Sequence, residues 1–332
     1  MSNSPGVPFE LKPMSLSELL DRTFTLYRSN FWLFCGLMAM PQVVIAAISI
    51  AFYFNPSTRT IPNVQPNPSD PFAPLEALAP ILLATLILSV LITIVYAVAV
   101  SAVTFAVSGL CLGRPVSIRK SYAMLLKRFF GLLGLILILL FIGFVFLLAG
   151  FLAGTIVGGI VGALLNFVTP ILGGLFIFLA MAVGFVLGFW LIMRFAVSIP
   201  VFLLEGRGVF DSLARSGVLT KGHRWRILVA TLVMTAIVFV IRLLFLLPFT
   251  ISGLMYPSRV LIPLWQQAGM SIAGALSGTL VGSLLTIMVV LIYYDVRIRK
   301  EAFDLEAMMA ALGQPGVAPA PSSAPLPPQQ AL

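Results

Sequence analysis

The chain has 332 residues, 60% of them hydrophobic and 9% charged, with a mean hydropathy of +1.09 and a formal net charge of +9. Soluble domains carry about 25% charged residues, so this composition excludes an ordinary water-soluble core. It points to a chain dissolved in lipid, and the basic pI of 10.0 gives no reason to expect a nucleic-acid partner once the placement of the basic residues is considered.

Of the 20 basic residues, 17 fall into four short segments: Lys12 to Arg28, Arg114 to Arg128, Arg194 to Arg226 and Arg297 to Lys300. Excess Lys and Arg near span ends mark the cytoplasmic side of a membrane, which predicts an even number of crossings with both termini in the cytosol. Spans of roughly 20 apolar residues are predicted around Phe31 to Phe54, Pro80 to Ser108, Phe130 to Ala153, Ile171 to Met193, Ile227 to Ile251 and Met270 to Tyr294. The predicted fold class is therefore all-α, a polytopic bundle of six transmembrane helices.

Along the chain, residues 1–12 are expected to be a flexible N-terminus, 13–312 the membrane domain and 313–332 a disordered Pro/Ala-rich tail. No cleavable signal peptide is evident in the polar first 30 residues. Ser15 and Glu18 form a capping-box pattern, and Leu16, Leu19, Leu20, Thr23, Phe24 and Tyr27 follow on one helical face. That helix either lies in the membrane interface, apolar side down, or packs on the bundle. Arg22, Lys120 and Arg215 are each followed ten residues later by Trp32, Phe130 and Trp225, which predicts three repeats of a short amphipathic helix plus two spans. The proline-rich loop from Asn55 to Pro74 reads as an extended connector outside the membrane.

Glycines recur every four residues at Gly150, Gly154, Gly158 and Gly162, and again at Gly274, Gly278 and Gly282. This spacing aligns small residues on one face, where helix backbones approach closely, so all seven are expected to serve helix packing. The first run outlasts the third predicted span, leaving open whether residues 154–165 extend it or form a re-entrant half-helix. Arg242 is the one charged residue inside a predicted span, where charge is costly and a functional role is the default. With Arg194, Arg22 and Arg215 it is a candidate contact for an anionic lipid or ligand. Asp21, Asp295, Arg297, Arg299 and Glu301 are candidates for an ion-pair network at the cytosolic rim.

Catalytic parts are scarce. The single histidine, His223, sits in a basic cluster without ligand-spaced carboxylates or cysteines, so neither a metal site nor a Ser-His-Asp arrangement is expected, and no cofactor. Cys35 and Cys111 read as packing residues. A non-enzymatic lipid-facing scaffold or partner-binding subunit is the reading this favours, against a transporter or lipid translocase with a path between glycine-faced helices. The expected partners are membrane lipids, a membrane protein or a second copy of the chain.

Two terminal stretches, PMSLSELLDRTFTLYRSNF from Pro13 and YYDVRIRKEAFDLEAMMAAL from Tyr293, resemble signatures of the glycerophosphoryl diester phosphodiesterase membrane-domain family, as does RFAVSIPVFLLEG from Arg194. The resemblance implies a standalone membrane domain whose recurring polar positions match Asp21, Arg22, Tyr27, Arg194, Glu205, Arg215, Asp295, Arg297, Arg299, Glu301 and Asp304. The phosphodiesterase barrel fused to such domains elsewhere needs about 250 residues, and this chain has no soluble stretch of that length.

Overall fold

A computed structural model describes residues 14–54, 73–166, 169–255 and 263–301. The expected N-terminal tail, the connector over 55–72 and the C-terminal tail lie outside the described residues. Helices α1 (Leu16–Ser29), α2 (Phe31–Tyr53), α3 (Ala73–Cys111), α4 (Ile118–Leu126), α5 (Phe129–Asn166) and α6 (Pro170–Ile192) come first. A 3-10 turn (Met193–Phe195), the single turn α7 (Ser198–Pro200) and a wide π turn (Val201–Glu205) then lead to α8 (Val209–Thr220), α9 (Arg224–Met255) and α10 (Leu264–Glu301). Six of these helices are long and apolar enough to cross a membrane, so the chain is a multi-pass helical membrane protein. The order of one short amphipathic helix and two long ones occurs three times, as the offsets in the sequence anticipate.

Local chemistry sets the helix starts. Ser15 Oγ accepts from the Glu18 amide at 3.2 Å while Glu18 returns a bond to the Ser15 amide at 2.6 Å, satisfying two otherwise orphaned donors. Ser117 caps α4 through the Lys120 amide at 3.3 Å, and Thr169 with Pro170 opens α6. Pro200 has no N–H to continue a regular ladder, and the widened turn that follows ends at Gly206, whose φ of +73° is a left-handed conformation that favours glycine.

α10 is the axis of the bundle. Of its apolar stretch 67% is buried, against 39% for α2 and less for the other spans. It runs antiparallel to α2, with Met38 opposite Gly282 and Gln42 opposite Gly278, and antiparallel to α9, with Arg226 at Asp295 and Phe249 at Gly269. α3 runs parallel to it, joined by Tyr96 Oη to the Gly282 carbonyl at 3.3 Å and by Ser108 Oγ to Tyr294 Oη at 2.8 Å. The core holds Phe34, Leu37, Met38, Val103, Met234, Ile287, Leu291 and Tyr293. Leu16, Leu20, Phe24 and Tyr27 pack against that core and Leu19 belongs to it, so α1 turns its apolar face onto the bundle and not down into lipid. Cys35 and Cys111 are buried and free.

Two boundaries differ from those expected. α3 begins at Ala73 with Pro80 inside it, because proline is tolerated in a first turn and can kink a longer helix without ending it. α5 is unbroken over 38 residues, about 57 Å at 1.5 Å per residue, so residues 154–165 extend the third span and no half-helix re-enters there. A helix longer than a hydrocarbon core of about 30 Å is accommodated by tilt, kinking or local thickening of the bilayer.

The glycines of α5 face α6 at near-backbone contact. A Cβ at Gly150 would stand 2.3 Å from the Gly184 carbonyl oxygen, one at Gly154 2.7 Å from that of Ala180, one at Gly158 3.1 Å from Ile177 Cα, and one at Gly162 3.0 Å from the Gly173 oxygen. On α10, Gly278 admits the Gln42 side chain and Gly282 lies near Met38, whereas Gly274 meets nothing within 4 Å among the described residues. The expectation of packing at Gly274 therefore fails: its face of α10 is open at that level, and regular spacing alone could not reveal it. Gly150→Ala should cost about 1–3 kcal/mol through enforced separation of α5 and α6, while Gly274→Ala should be neutral or stabilising by up to about 1 kcal/mol. Unfolding of the two purified variants measures this, and equal effects would contradict the seam.

Candidate functional site

The charged residues converge at one end of the bundle, around the last turns of α10. Helical spacing sorts them into two rows, Asp295 with Arg299 and Tyr293 with Arg297 and Glu301, and each row meets a different set of neighbours.

In the first row, Asp295 is 3% exposed and accepts from Arg226 Nη1 of α9 at 2.8 Å, from Arg299 Nε at 3.1 Å and from the Met14 amide at 2.8 Å. The Met14 carbonyl in turn accepts from Arg299 Nη2 at 2.8 Å and from Arg226 Nη2. The backbone that leads into α1 is thus clasped on both its donor and its acceptor. A carboxylate so deeply buried is tolerable only with charged and hydrogen-bonded partners on every side, and here two guanidiniums serve one carboxylate.

In the second row, Tyr293 Oη donates to Glu205 Oε1 at 3.1 Å and accepts from Arg297 Nη1 at 3.2 Å. Glu205 Oε2 also binds Arg207 Nε at 2.7 Å and lies 3.4 Å from Arg215 Nε. Arg215 reaches on to Glu301, which Arg297 Nε holds from the same helix at 3.1 Å. Glu205 comes from the π turn and Arg215 from α8, so this network joins three elements through α10. It contains three guanidiniums and two carboxylates, again with a surplus of one cation.

Next to it lies a cavity of about 390 Å³ bounded by the end of α3, the turn into α4, the start of α4, the π turn and the end of α10. Gly109 lets the turn fold close, since a Cβ there would stand 2.6 Å from Val116 Cγ2. α4 is fixed to α2 by Tyr122 Oη, which donates to the Leu37 carbonyl at 2.6 Å. Burial pushes the Tyr122 phenol up to about 12, so it remains a donor through the physiological range.

The four arginines singled out as anion contacts do not meet. Arg22 is half-buried on α1, and Arg215 is taken up by Glu205 and Glu301. Arg194 is exposed with its guanidinium 5.6 Å from the Phe195 ring, and its carbonyl receives Ser216 and Thr220 of α8. Arg242 is exposed on α9, 18 residues and about 27 Å beyond that helix's start. The rim candidates Asp295, Arg297, Arg299 and Glu301 do enter the networks, while Asp21 stands exposed on α1 outside both. Arg226, Glu205, Arg207, Arg215, Tyr293 and the Met14 backbone complete them. Only the i,i+4 spacing within 293–301 signals these networks in sequence, because the other partners arrive through tertiary packing.

Asp295→Asn keeps the shape of the side chain but leaves Arg226 and Arg299 facing each other without a counter-charge. It should destabilise the purified protein by about 3 kcal/mol, whereas Asp21→Asn should change stability by less than about 0.5 kcal/mol; denaturant unfolding of both variants in detergent checks the contrast.

No curated protein and no solved structure matches the chain. A family model described as a domain of unknown function, DUF7847, matches residues 14–297, beginning at the clasped Met14 and ending at Arg297 of the second network. The lining of the cavity lies within the matched residues, Arg299 and Glu301 of the networks lie just beyond them, and the chain belongs to the DUF7847 family.

Proposed function

We propose that the protein is a non-enzymatic membrane scaffold, seated in a bacterial inner membrane with its charged rim and both termini in the cytosol, that gathers anionic lipid headgroups around that rim. The observation that carries this reading is the division of charge. The carboxylates Asp295, Glu205 and Glu301 are drawn into ion pairs inside the bundle, while Arg28, Arg114, Arg119, Lys120 and Lys127 stand exposed. Carboxylates paired with arginines inside the bundle fasten helices to one another. Exposed basic residues gain about 1 kcal/mol each near an anionic leaflet. The likeness of Pro13 to Phe31 and of Tyr293 to Leu312 to glycerophosphoryl diester phosphodiesterase membrane domains fits the same reading, since those stretches supply α1 and much of both networks.

Packing supports it as well. The first glycine run is filled by α6, and Gly278 and Gly282 by Gln42 and Met38, which leaves little room for a solute path between them.

Extraction of the protein with a disc of native lipid, followed by lipid analysis, tests the proposal. The expected result is enrichment of anionic phospholipid over the bulk membrane, weakened by salt and unchanged in Arg242→Leu. Absence of enrichment, together with solute or lipid flux in proteoliposomes, would favour a transporter instead.

A further inference from the structure

The lining of the cavity beside the second network is both basic and apolar. Arg114, Lys120 and Arg297 line it, and no Asp or Glu does. Arg297 is already engaged with Glu301 and Tyr293, but Arg114 and Lys120 have no ion-pair partner among the described residues. The start of α4, with Ser117 and Lys120 both on the cavity wall, adds the partial positive charge of a helix N-terminus. Apolar side chains complete the lining, and two of them, Leu112 and Met124, are each 45% exposed. A volume of about 390 Å³ is sufficient for a headgroup.

Depth identifies the kind of molecule this amphipathic space meets. Trp32 and Phe130, each the second residue of its span, are 84% exposed, and Trp225 in the same position of α9 is 60% exposed. Outward aromatics at span starts mark the headgroup level of a bilayer. Ile118 at the start of α4 packs on Gly36, four residues and about 6 Å further into α2 than Trp32. The cavity therefore opens at the level where lipid phosphates give way to acyl chains. We propose that it is a discrete binding site for a phosphate anion carried on an anionic phospholipid, with Arg114 and Lys120 engaging the phosphate oxygens and Leu112 and Met124 meeting the adjoining chain. This rests on the lipid-scaffold reading and sharpens it from a diffuse attraction to one site per chain.

The full-length protein in nanodiscs containing phosphatidylglycerol and phosphatidylcholine provides the test, with retained lipid counted by native mass spectrometry after progressive delipidation. Wild type should keep one phosphatidylglycerol per chain. Arg114→Gln with Lys120→Gln should keep at least tenfold less at an unchanged melting temperature, whereas Arg119→Gln with Lys127→Gln, exposed residues outside the cavity, should retain it. Competition with sn-glycerol 3-phosphate separates the sources of the phosphate: no displacement supports a lipid, and full displacement at sub-millimolar concentration supports the site with a soluble phosphate ester as its occupant. Equal retention by wild type and the cavity variant would overturn the site. So would a wild type that enriches anionic lipid around itself but holds none tightly, an outcome that leaves the scaffold reading intact. Tight retention of one lipid without general enrichment would remove the scaffold reading and keep the site.

Discussion

A carboxylate buried at the end of an apolar helix constrains everything near it. Asp295 is on the most buried span and is 3% exposed, so it needs counter-charge from elements that reach it. Arg226 comes from the start of α9, Arg299 from one turn along α10, and the Met14 amide from the entry to α1. Satisfying this one group fixes the direction of α1, the height of α9 and the seat of the N-terminal segment together. Such an ion cluster is a weak source of net stability, because desolvation offsets most of the Coulomb gain, but it penalises any other arrangement of its parts strongly. Its role is to specify geometry.

The three units share their order but not their packing. The first and third pack together around α10, where hydroxyl-to-carbonyl bonds from Tyr27 of α1 and Tyr96 of α3 reach Leu280 and Gly282. The second places α5 and α6 chiefly against each other, and glycine is what allows this: lipid gives apolar surfaces no reason to associate, so close backbone approach has to supply the dispersion contact. The pair is anchored to the rest near its charged end, where Leu132 and Leu135 meet Leu125, Phe202 and Leu213. The cavity lies among the ends of α3 and α10, the start of α4 and the π turn, on the side organised by ion pairs.

Much of this was legible in the residues. Charge placement and apolar length gave six helices, Ser15 with Glu18 gave the start of α1, and the offset between basic and aromatic residues gave the threefold order. The continuity of α5 was not legible, because a stretch without charge or proline offers no sign of where a helix ends. Gly274 shares the spacing of Gly278 and Gly282 but not their neighbours, since periodicity identifies a face and not what covers it. Arg215 looked available in sequence and is committed to Glu205 and Glu301, while Arg226 gave no local sign of reaching Asp295, 69 residues away. Local spacing shows which groups share a helix face. Which face meets which is decided by the bundle.

The most direct test of this account is a double-mutant cycle on Arg226 and Asp295, measured by equilibrium unfolding in detergent with the singles Arg226→Ala and Asp295→Ala and the double variant. If these residues fasten α9 to the axis, the double variant should be less destabilised than the sum of the singles by about 2 kcal/mol. Additivity to within about 0.5 kcal/mol would contradict the claim that the buried carboxylate holds the rim together.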